Sequence, residues 1–289
     1  MRPFTIGVVV AAALAAAMLV AAAPAAGFEP SVARLLRDRA CADVIVCAHR
    51  GNGAGAPENS LAAIRQAAAL GALVIEVDVR ETRDDVLILM HDDTLDRTVG
   101  VRGRVRDRPY SYIREFALEG SADGEPPPTL AAAFEAARGR AILQLDLKTD
   151  RMDLVARALG EAGPEIFDRV MCGKGSLAKL VELKRLEPRV EVIPRAGREA
   201  DLEAMLAPEL APVAVQVPDD LLVPAVVERI RGGGARVWAN ALGFRDVVAG
   251  VDAAAYDELI EGGADIIQTD RPAILVPRAR RASLARYPW

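Results

Sequence analysis

The stretch Leu73-Val74-Ile75-Glu76-Val77-Asp78-Val79 predicts a β-strand in which two carboxylates occupy alternate positions. A second apolar run, Val86–Met90, follows after only six residues. A parallel crossover connection needs about a dozen residues or more, so these two runs must form an antiparallel hairpin. The Asp84-Asp85 pair between them supplies the polar residues that such a turn favours.

Outside this hairpin the chain repeats one unit, in which a short β-branched run is followed by an alanine- and leucine-rich helical stretch. This alternation favours parallel strands joined by crossover helices, and eight such strands in about 260 residues predict an α/β fold, a (β/α)8 TIM barrel. The strands are predicted at Val44–Ala48, Leu73–Val79, Ala141–Leu147, Arg169–Cys172, Val190–Ile193, Val213–Val217, Arg236–Ala239 and Asp265–Gln268. The helices are predicted at Ser60–Leu70, Leu130–Arg138, Leu154–Ala162, Leu177–Leu186, Ala200–Leu206, Val223–Arg231, Ala253–Glu261 and Ala273–Leu284.

Composition and the absence of a linker predict one globular domain over residues 27–289. The chain is 52% hydrophobic and has a formal net charge of −5, which is typical of a protein with a large core. No Pro/Gly/Ser-rich linker divides it. A mildly acidic chain lacks the basic footprint that nucleic-acid binding usually requires, so nucleic acid is not predicted as a partner.

The first 26 residues are predicted to be a secretory signal peptide. Met1-Arg2 gives a positive start, residues 6–23 an apolar centre, and Ala23-Pro24-Ala25-Ala26-Gly27 a small-residue cleavage site. The mature protein is therefore expected to be exported, periplasmic or secreted, without stable membrane insertion. An uncleaved N-terminal membrane anchor is the alternative, because the apolar run is nearly long enough to span a bilayer.

The two histidines of the chain both end predicted strands. His49 follows Val44–Ala48, and His91 follows Val86–Met90. The hairpin brings His91 back to the carboxyl end of the barrel, where His49 already lies and where barrels of this kind carry their active sites. Histidine is the side chain best suited to proton transfer near neutral pH, so the pair predicts acid–base chemistry.

Three carboxylates are predicted to face the interior of the barrel near these histidines. Glu76 and Asp78 lie two residues apart on one strand and therefore point to the same face. Asp146 and Lys148 repeat this spacing on the next barrel strand. An all-oxygen set of ligands favours a hard divalent cation, Ca²⁺ or Mg²⁺. The alternative is a buried network of ion pairs with Arg50 and Lys148.

These residues belong to a series of motifs that resembles the glycerophosphodiester phosphodiesterase family. The resemblance runs in order from about Val44 to Pro272 and rests on His49-Arg50-Gly51, Pro57-Glu58-Asn59-Ser60, Glu76-Val77-Asp78-Val79, His91-Asp92-Asp93-Thr94-Leu95-Asp96-Arg97-Thr98, Asp146-Leu147-Lys148, Trp238-Ala239-Asn240 and Thr269-Asp270-Arg271-Pro272. It implies the same barrel, with a segment inserted after the second histidine that Asp93–Pro128 matches. It also implies a metal-dependent phosphodiesterase that hydrolyses small glycerophosphodiesters to glycerol 3-phosphate and an alcohol.

The resemblance also implies the roles of individual residues. The two histidines would be the general acid and base on opposite sides of the phosphorus. A glycerol hydroxyl can then attack first, and water opens the resulting cyclic phosphate. The three carboxylates would hold the metal ion, and two basic side chains with two further residues would bind the substrate. The assignments are His49 and His91 for proton transfer, Glu76, Asp78 and Asp146 for the metal, and Arg50, Lys148, Glu58 and Trp238 for the substrate.

Several of these positions have structural alternatives. Glu58 follows a proline at a predicted helix start, where an acid suits the helix dipole. Trp238 either walls the pocket against the glycerol carbons or belongs only to the core. Asp92 either bonds nearby backbone amides or orients His91. Cys47 and Cys172 lie on predicted strands and are expected to be buried small apolar residues, although Cys41 and Cys47 allow a disulfide after export.

One position departs from the family pattern. Asp146 stands where most members carry glutamate, so the cation is expected to shift or to recruit an extra water. The surrounding Asp-Leu-Lys-Thr resembles the related sphingomyelinase D-type phospholipases, which makes a lysophospholipid or sphingolipid phosphodiesterase the alternative function. That function predicts an apolar rim at the mouth, in the inserted segment, although its aromatic residues are expected to pack as a helix on the barrel edge. A non-catalytic binding protein on the same barrel is a third alternative, which the intact histidines and carboxylates disfavour.

Overall fold

The computed structural model describes residues 31–38, 40–53 and 55–286, except for the side chains of Lys174 and Arg286. The predicted signal peptide lies outside these residues, so it stays a prediction. In the described part of the chain, no helix is long and apolar enough to cross a membrane.

Eight parallel strands form the predicted (β/α)8 barrel, and a ninth strand pairs antiparallel beside them. The strands are β1 (Ile45–Ala48), β2 (Val74–Glu81), β3 (Leu87–Leu89), β4 (Ile142–Leu147), β5 (Val170–Lys174), β6 (Glu191–Pro194), β7 (Ala214–Gln216), β8 (Arg236–Asn240) and β9 (Ile266–Thr269). Their order around the barrel is β6-β5-β4-β2-β1-β9-β8-β7, and a parallel bridge between Arg195 and Gln216 joins the β6 and β7 edges. All nine predicted strands are confirmed to within two residues at each end.

Helices cover the outside of the barrel and the inserted segment, and eight of those in the described residues lie where the sequence predicts them. They are α1 (Leu61–Ala69), α2 (Asp96–Val99), α3 (Tyr110–Ile113), α4 (Leu130–Ala137), α5 (Met152–Glu161), α6 (Leu177–Leu186), α7 (Leu202–Met205), α8 (Pro224–Gly232), α9 (Phe244–Ala249), α10 (Asp257–Glu261) and α11 (Pro272–Arg286). The predicted helices at 200–206 and 253–261 begin as 3₁₀ turns and are α-helical only in their second halves. Helix α9 was not predicted, because it is six residues long and exposes two large apolar side chains, Phe244 and Val247.

The β2–β3 hairpin confirms the predicted return of the chain to the mouth. Val79 pairs with Leu89 in the antiparallel ladder. The backbone N–H of Met90 then donates to the carbonyl of Asp78 over 2.9 Å, so the chain is still held against β2 when it reaches His91. This pairing brings His91 to the same opening as the residue that follows β1.

Strand β2 buries its two faces differently, as the alternation predicts. Val77 and Val79 are fully buried in the apolar core between the strands and the outer helices. Glu76 and Asp78, on the opposite face, line the cavity inside the barrel mouth. The lower part of the barrel interior is apolar and is filled by side chains from most strands, among them Ile45, Cys47, Val74, Ile142, Met171, Ile193, Trp238 and Ile266.

The segment after His91 forms its own small core over the hairpin. Ile113 and Leu118 are buried there against Ile88 and Met90 of the hairpin. The aromatic residues of the segment, Tyr110, Tyr112 and Phe116, pack against this cluster. The segment therefore packs on the barrel edge as expected, and it does not present these side chains as an apolar rim.

The cysteines are all unpaired in the described structure, so the allowed Cys41–Cys47 disulfide is not formed. Cys47 and Cys172 are fully buried, as predicted for small apolar residues. Burial raises the pKa of Cys47 well above its usual value and that of Cys172 to about 12. The thiolate is the reactive form of cysteine, so buried thiols with raised pKa values react slowly.

We therefore expect an alkylating reagent at pH 7.5 to label the folded protein at Cys41 only, because Cys41 alone among the three is partly exposed. Mass spectrometry of the native and urea-unfolded protein measures this, and unfolding should release Cys47 and Cys172. Rapid native labelling of either buried cysteine would contradict the packing of the strand that carries it.

Candidate active site

A strained turn at the end of β1 presents the first histidine. Residues His49–Gly51 form a 3₁₀ turn in which Arg50 has φ 53°, a backbone conformation that non-glycine residues rarely adopt. Gly51 has φ 68°, and a Cβ there would lie 2.9 Å from Ala63 Cβ, so only glycine fits. The Arg50 N–H donates to Glu76 Oε2 over 2.8 Å, which fixes this turn to β2.

His49 is oriented by a carboxylate from the end of β9. Its Nδ1 lies 2.8 Å from Asp270 Oδ1, which also accepts a hydrogen bond from Asn52 Nδ2 over 3.1 Å. Burial raises the pKa of Asp270, but hydrogen bonds from His49 and Asn52 outweigh it, and the net pKa is below its usual value. An ionised carboxylate only accepts hydrogen bonds, so His49 Nδ1 carries a proton and Nε2 is left for the cavity.

His91 is oriented in the same way by its neighbour in the sequence. Its Nδ1 lies 2.8 Å from Asp92 Oδ1. Hydrogen bonds from Arg97 hold the pKa of Asp92 well below its usual range, against a smaller opposing effect of burial. Arg80 of β2 donates from Nε and Nη2 to the His91 carbonyl over 3.0 and 2.8 Å, which fixes the backbone as well. Of the two roles left open for Asp92, the structure places it as a partner of His91.

The three predicted carboxylates come together at the mouth. Strand β2 pairs with β4 so that Asp78 lies opposite Asp146, and one oxygen each of Glu76, Asp78 and Asp146 lies within 4.8 Å of the other two. Asn59, which is buried, donates to Asp78 Oδ2 and accepts from the Asp78 N–H, each over 2.9 Å. This double contact holds Asp78 in place.

The donor set fits a divalent cation. Glu76 is buried, and burial together with the charges of Asp78 and Asp146 raises its pKa well above the usual value. Among the side chains that the structure describes, no lysine or arginine pairs with Glu76, and His49 Nε2, 3.9 Å from Glu76 Oε2, is charged only when it is protonated. The ionised form of Glu76 therefore lacks a permanent compensating charge. A hard cation between these oxygens would supply that charge.

Two basic side chains border the carboxylates. Lys148 Nζ lies 2.7 Å from Asp146 Oδ2 and 3.2 Å from Asp78 Oδ1. Arg50 Nη1 lies 3.2 Å from Glu58 Oε1, and its Nε is 3.4 Å from Asp78 Oδ2. That Nε is a buried donor without a hydrogen bond in the described structure, so it is available to an oxygen of a bound ligand. The predicted ion pairs of Arg50 and Lys148 are thus present, but they are made with Glu58, Asp78 and Asp146 and not with Glu76.

A cavity of about 720 Å³ joins these groups. Its lining includes both histidines, the three carboxylates, Arg50 and Lys148. Amide side chains cover its far wall, where Gln216 Nε2 donates to Asn240 Oδ1 over 2.7 Å and Arg195 Nε donates to Gln216 Oε1 over 2.6 Å. The cavity is polar, open and large enough for a small phosphodiester.

The two remaining predicted residues lie at the border of this cavity. Trp238 contributes to its lining but is only 1% exposed, and its Nε1 donates to Asn240 Oδ1 over 3.2 Å. It is thus both a core residue and part of the cavity floor. Glu58 pairs with Arg50 and Arg97, and it does not cap α1, where Ser60 accepts the N-cap hydrogen bond from the Ala63 N–H.

Sequence reasoning assigned no role to Asn52, Asn59, Arg80, Arg97 or Asp270. Asn59, Arg97 and Asp270 stand inside the quoted motifs, so the motifs mark their positions. The sequence does not show which side chains they contact. Those contacts appear only when these side chains meet their partners across the fold.

Known proteins match this chain in sequence as well as in fold. Residues 49–274 match the glycerophosphoryl diester phosphodiesterase family. The chain is 26% identical to a glycerophosphodiester phosphodiesterase of Caldanaerobacter subterraneus over 82% of this chain and 98% of that protein. It is 40% identical to mouse glycerophosphodiester phosphodiesterase 1, but that match covers 43% of this chain and only 38% of the mouse protein.

Solved structures agree with the sequence relatives. The crystal structure of a glycerophosphodiester phosphodiesterase from Agrobacterium tumefaciens superposes with a TM-score of 0.70 at 27% identity, covering 81% of this chain and 99% of that chain. The match to the family spans both histidines, the carboxylates and the barrel that carries them. The chain therefore belongs to the glycerophosphoryl diester phosphodiesterase family, a family of hydrolases.

Proposed function

We propose that this protein is a metal-dependent phosphodiesterase that hydrolyses small glycerophosphodiesters to glycerol 3-phosphate and an alcohol. The observation that carries the proposal is the arrangement of two histidine–aspartate pairs and a carboxylate cluster around one polar cavity. Membership of the family supports the substrate class.

The two histidines supply proton transfer in this proposal. Each donates its Nδ1–H to an aspartate, so each presents Nε2 to the cavity in the same tautomer. One Nε2 accepts the proton of the attacking hydroxyl, and the other, when protonated, donates to the leaving alkoxide. The aspartates Asp270 and Asp92 stabilise the imidazolium that forms in either role.

The phosphate is bound by the basic side chains beside the carboxylates. Arg50 Nε makes no hydrogen bond in the described structure. The ammonium group of Lys148, which pairs with Asp78 and Asp146, supplies a second positive charge. Guanidinium groups match the geometry of phosphate oxygens. Glu76, Asp78 and Asp146 would hold one divalent cation, Ca²⁺ or Mg²⁺, and the cation would supply charge neutralisation at the phosphate oxygens.

The test is turnover of defined substrates under controlled metal. Glycerophosphocholine, glycerophosphoethanolamine and glycerophosphoglycerol are incubated with the protein in chelator and after Ca²⁺ or Mg²⁺ is restored, and glycerol 3-phosphate is measured enzymatically. We expect release of glycerol 3-phosphate that requires the cation. Hydrolysis that releases no glycerol 3-phosphate would contradict the proposal. Equal rates before and after exhaustive metal removal would also contradict it.

One observation favours lysophospholipids as a second substrate class. Phe244 and Val247 of α9 are 84% and 62% exposed, and Val251, just after the helix, is 94% exposed. The connection that leads from β8 into α9 contains Leu242, which lines the cavity. If lysophospholipids are substrates, these exposed side chains, and not those of the inserted segment, would supply the apolar rim that this function requires.

Lysophosphatidylcholine is accordingly added to the assay, below and above its critical micelle concentration. Release of choline with lysophosphatidic acid would establish this second function. Its absence, with glycerophosphodiesters turned over, would leave the exposed apolar residues without a role in catalysis.

A further inference from the structure

Arg97 joins two carboxylates that border the proposed active site without lining the cavity itself. It lies in α2 of the inserted segment. Its Nη1 and Nη2 donate to Glu58 over 2.9 and 2.6 Å, and its Nε and Nη2 donate to Asp92 over 2.7 and 3.0 Å. All three nitrogens of the guanidinium group are therefore used on these two carboxylates.

The contact with Asp92 bears directly on His91. Asp92 Oδ1 accepts from both His91 Nδ1 and Arg97 Nη2, while its Oδ2 accepts from Arg97 Nε. Paired hydrogen bonds from one guanidinium set the plane of a carboxylate as well as its position. Asp92 is partly exposed at 26%, so without Arg97 its side chain would be free to turn towards solvent.

The contact with Glu58 reaches the other side of the site. Glu58 Oε1 accepts from Arg97 Nη2 and lies 3.2 Å from Arg50 Nη1. A continuous series of contacts thus runs from Arg50 through Glu58, Arg97 and Asp92 to His91. It joins the turn after β1 directly to the end of the hairpin, two parts of the chain that are otherwise each held to β2.

We propose that Arg97 is a positioning residue that fixes His91, through Asp92, in the orientation needed for proton transfer, and steadies Arg50 through Glu58. The proposal rests on the proposed phosphodiesterase function for its kinetic consequences. Exposed ion pairs contribute little to stability, and Arg97 is 50% exposed, so its contribution is to geometry and not to folding.

Arg97→Gln tests the proposal against a matched control in the same segment. Residues that orient catalytic or metal-binding side chains typically matter by 10–100-fold, so we expect kcat to fall by about that factor with a thermal midpoint within about 2 °C of the wild type. Arg104→Gln removes a similarly exposed arginine, which pairs with the exposed Asp93, and should leave kcat unchanged. Arg97→Lys should recover part of the loss, because a lysine can contact one carboxylate but cannot bridge both.

A double-mutant cycle separates positioning through Asp92 from a general effect. In an Asp92→Asn background, Arg97→Gln should lower kcat by less than about threefold, because the partner through which it acts has already been changed. The same loss in both backgrounds, or a kcat for Arg97→Gln within twofold of the wild type, would overturn the proposal.

Nitrogen NMR provides a readout that does not depend on turnover. The chain has two histidines, so long-range ¹H–¹⁵N spectra of protein without an added histidine tag contain two imidazole patterns. We expect both to show the Nδ1-protonated tautomer in the wild type, and only the His91 pattern to change in Arg97→Gln. An unchanged His91 pattern would overturn the proposal even if no phosphodiester is hydrolysed, whereas a changed pattern without any turnover would count against the proposed function alone.

Discussion

Replacing either histidine with alanine is expected to lower kcat for a glycerophosphodiester by about 10²–10⁴-fold, the range typical for loss of a positioned general acid or base. His49 and His91 each have Nδ1 on an aspartate and line the same cavity, so neither can substitute for the other. Steady-state kinetics on glycerophosphocholine, with bound metal quantified in each variant, measures the effect. Both variants should keep the cation, because neither histidine belongs to the carboxylate cluster.

The double variant should be about as slow as the slower single variant, because the two histidines act in one proton-transfer sequence. Undiminished activity in either single variant would exclude the acid–base assignment. A loss of bound metal in His49→Ala would instead place that histidine among the metal ligands.

Replacing Glu76 with glutamine is expected to abolish the response to a divalent cation while leaving the metal-free protein at least as stable. At a cation concentration 100 times the dissociation constant, binding stabilises a protein by about 2.7 kcal/mol, or about 5–10 °C in a chain of this size. Glutamine removes a buried negative charge that lies close to those of Asp78 and Asp146. The midpoint in chelator should therefore rise or stay constant, and the cation-induced increase should disappear together with activity.

Asp265→Asn is the matched control for this prediction. Asp265 is also buried, but it lies at the amino end of β9 and pairs with Arg231, with 2.7 Å between Asp265 Oδ1 and Arg231 Nη2. Its replacement leaves buried hydrogen bonds unmade, so the midpoint should fall by an amount equivalent to about 1–3 kcal/mol while the cation response persists. Differential scanning fluorimetry with chelator and with added Ca²⁺ or Mg²⁺ measures both variants. A cation response that survives in Glu76→Gln would contradict the metal site.

The barrel and the ends of its strands were predictable because they depend on local patterns. Short β-branched runs alternate with helical stretches, and six residues between Val79 and Val86 are too few for anything but a hairpin. Helix α9 was not predicted because it lacks such a local pattern. It is short and exposes Phe244 and Val247, so its sequence has no amphipathic pattern to detect.

The candidate site was predictable as a set of residue types at strand ends, but not as a network. Glu76 and Asp78 share a face because strand residues alternate, and Asp146 joins them because β4 pairs in register with β2. Nothing local connects His49 to Asp270, which are 221 residues apart in the chain. The same holds for Glu58 and Arg97, which are separated by 39 residues.

The sequence by itself determined which elements form and which charged residues stand at the mouth, since periodicity and strand spacing are properties of neighbouring residues. Only the tertiary structure decided which carboxylate orients each histidine, that no lysine or arginine among the described side chains pairs with Glu76, and that Arg97 joins the two halves of the site. Those facts depend on how strands from distant parts of the chain register around the barrel. Hydrogen bonds between such residues form only after closure, and no spacing along the chain encodes them.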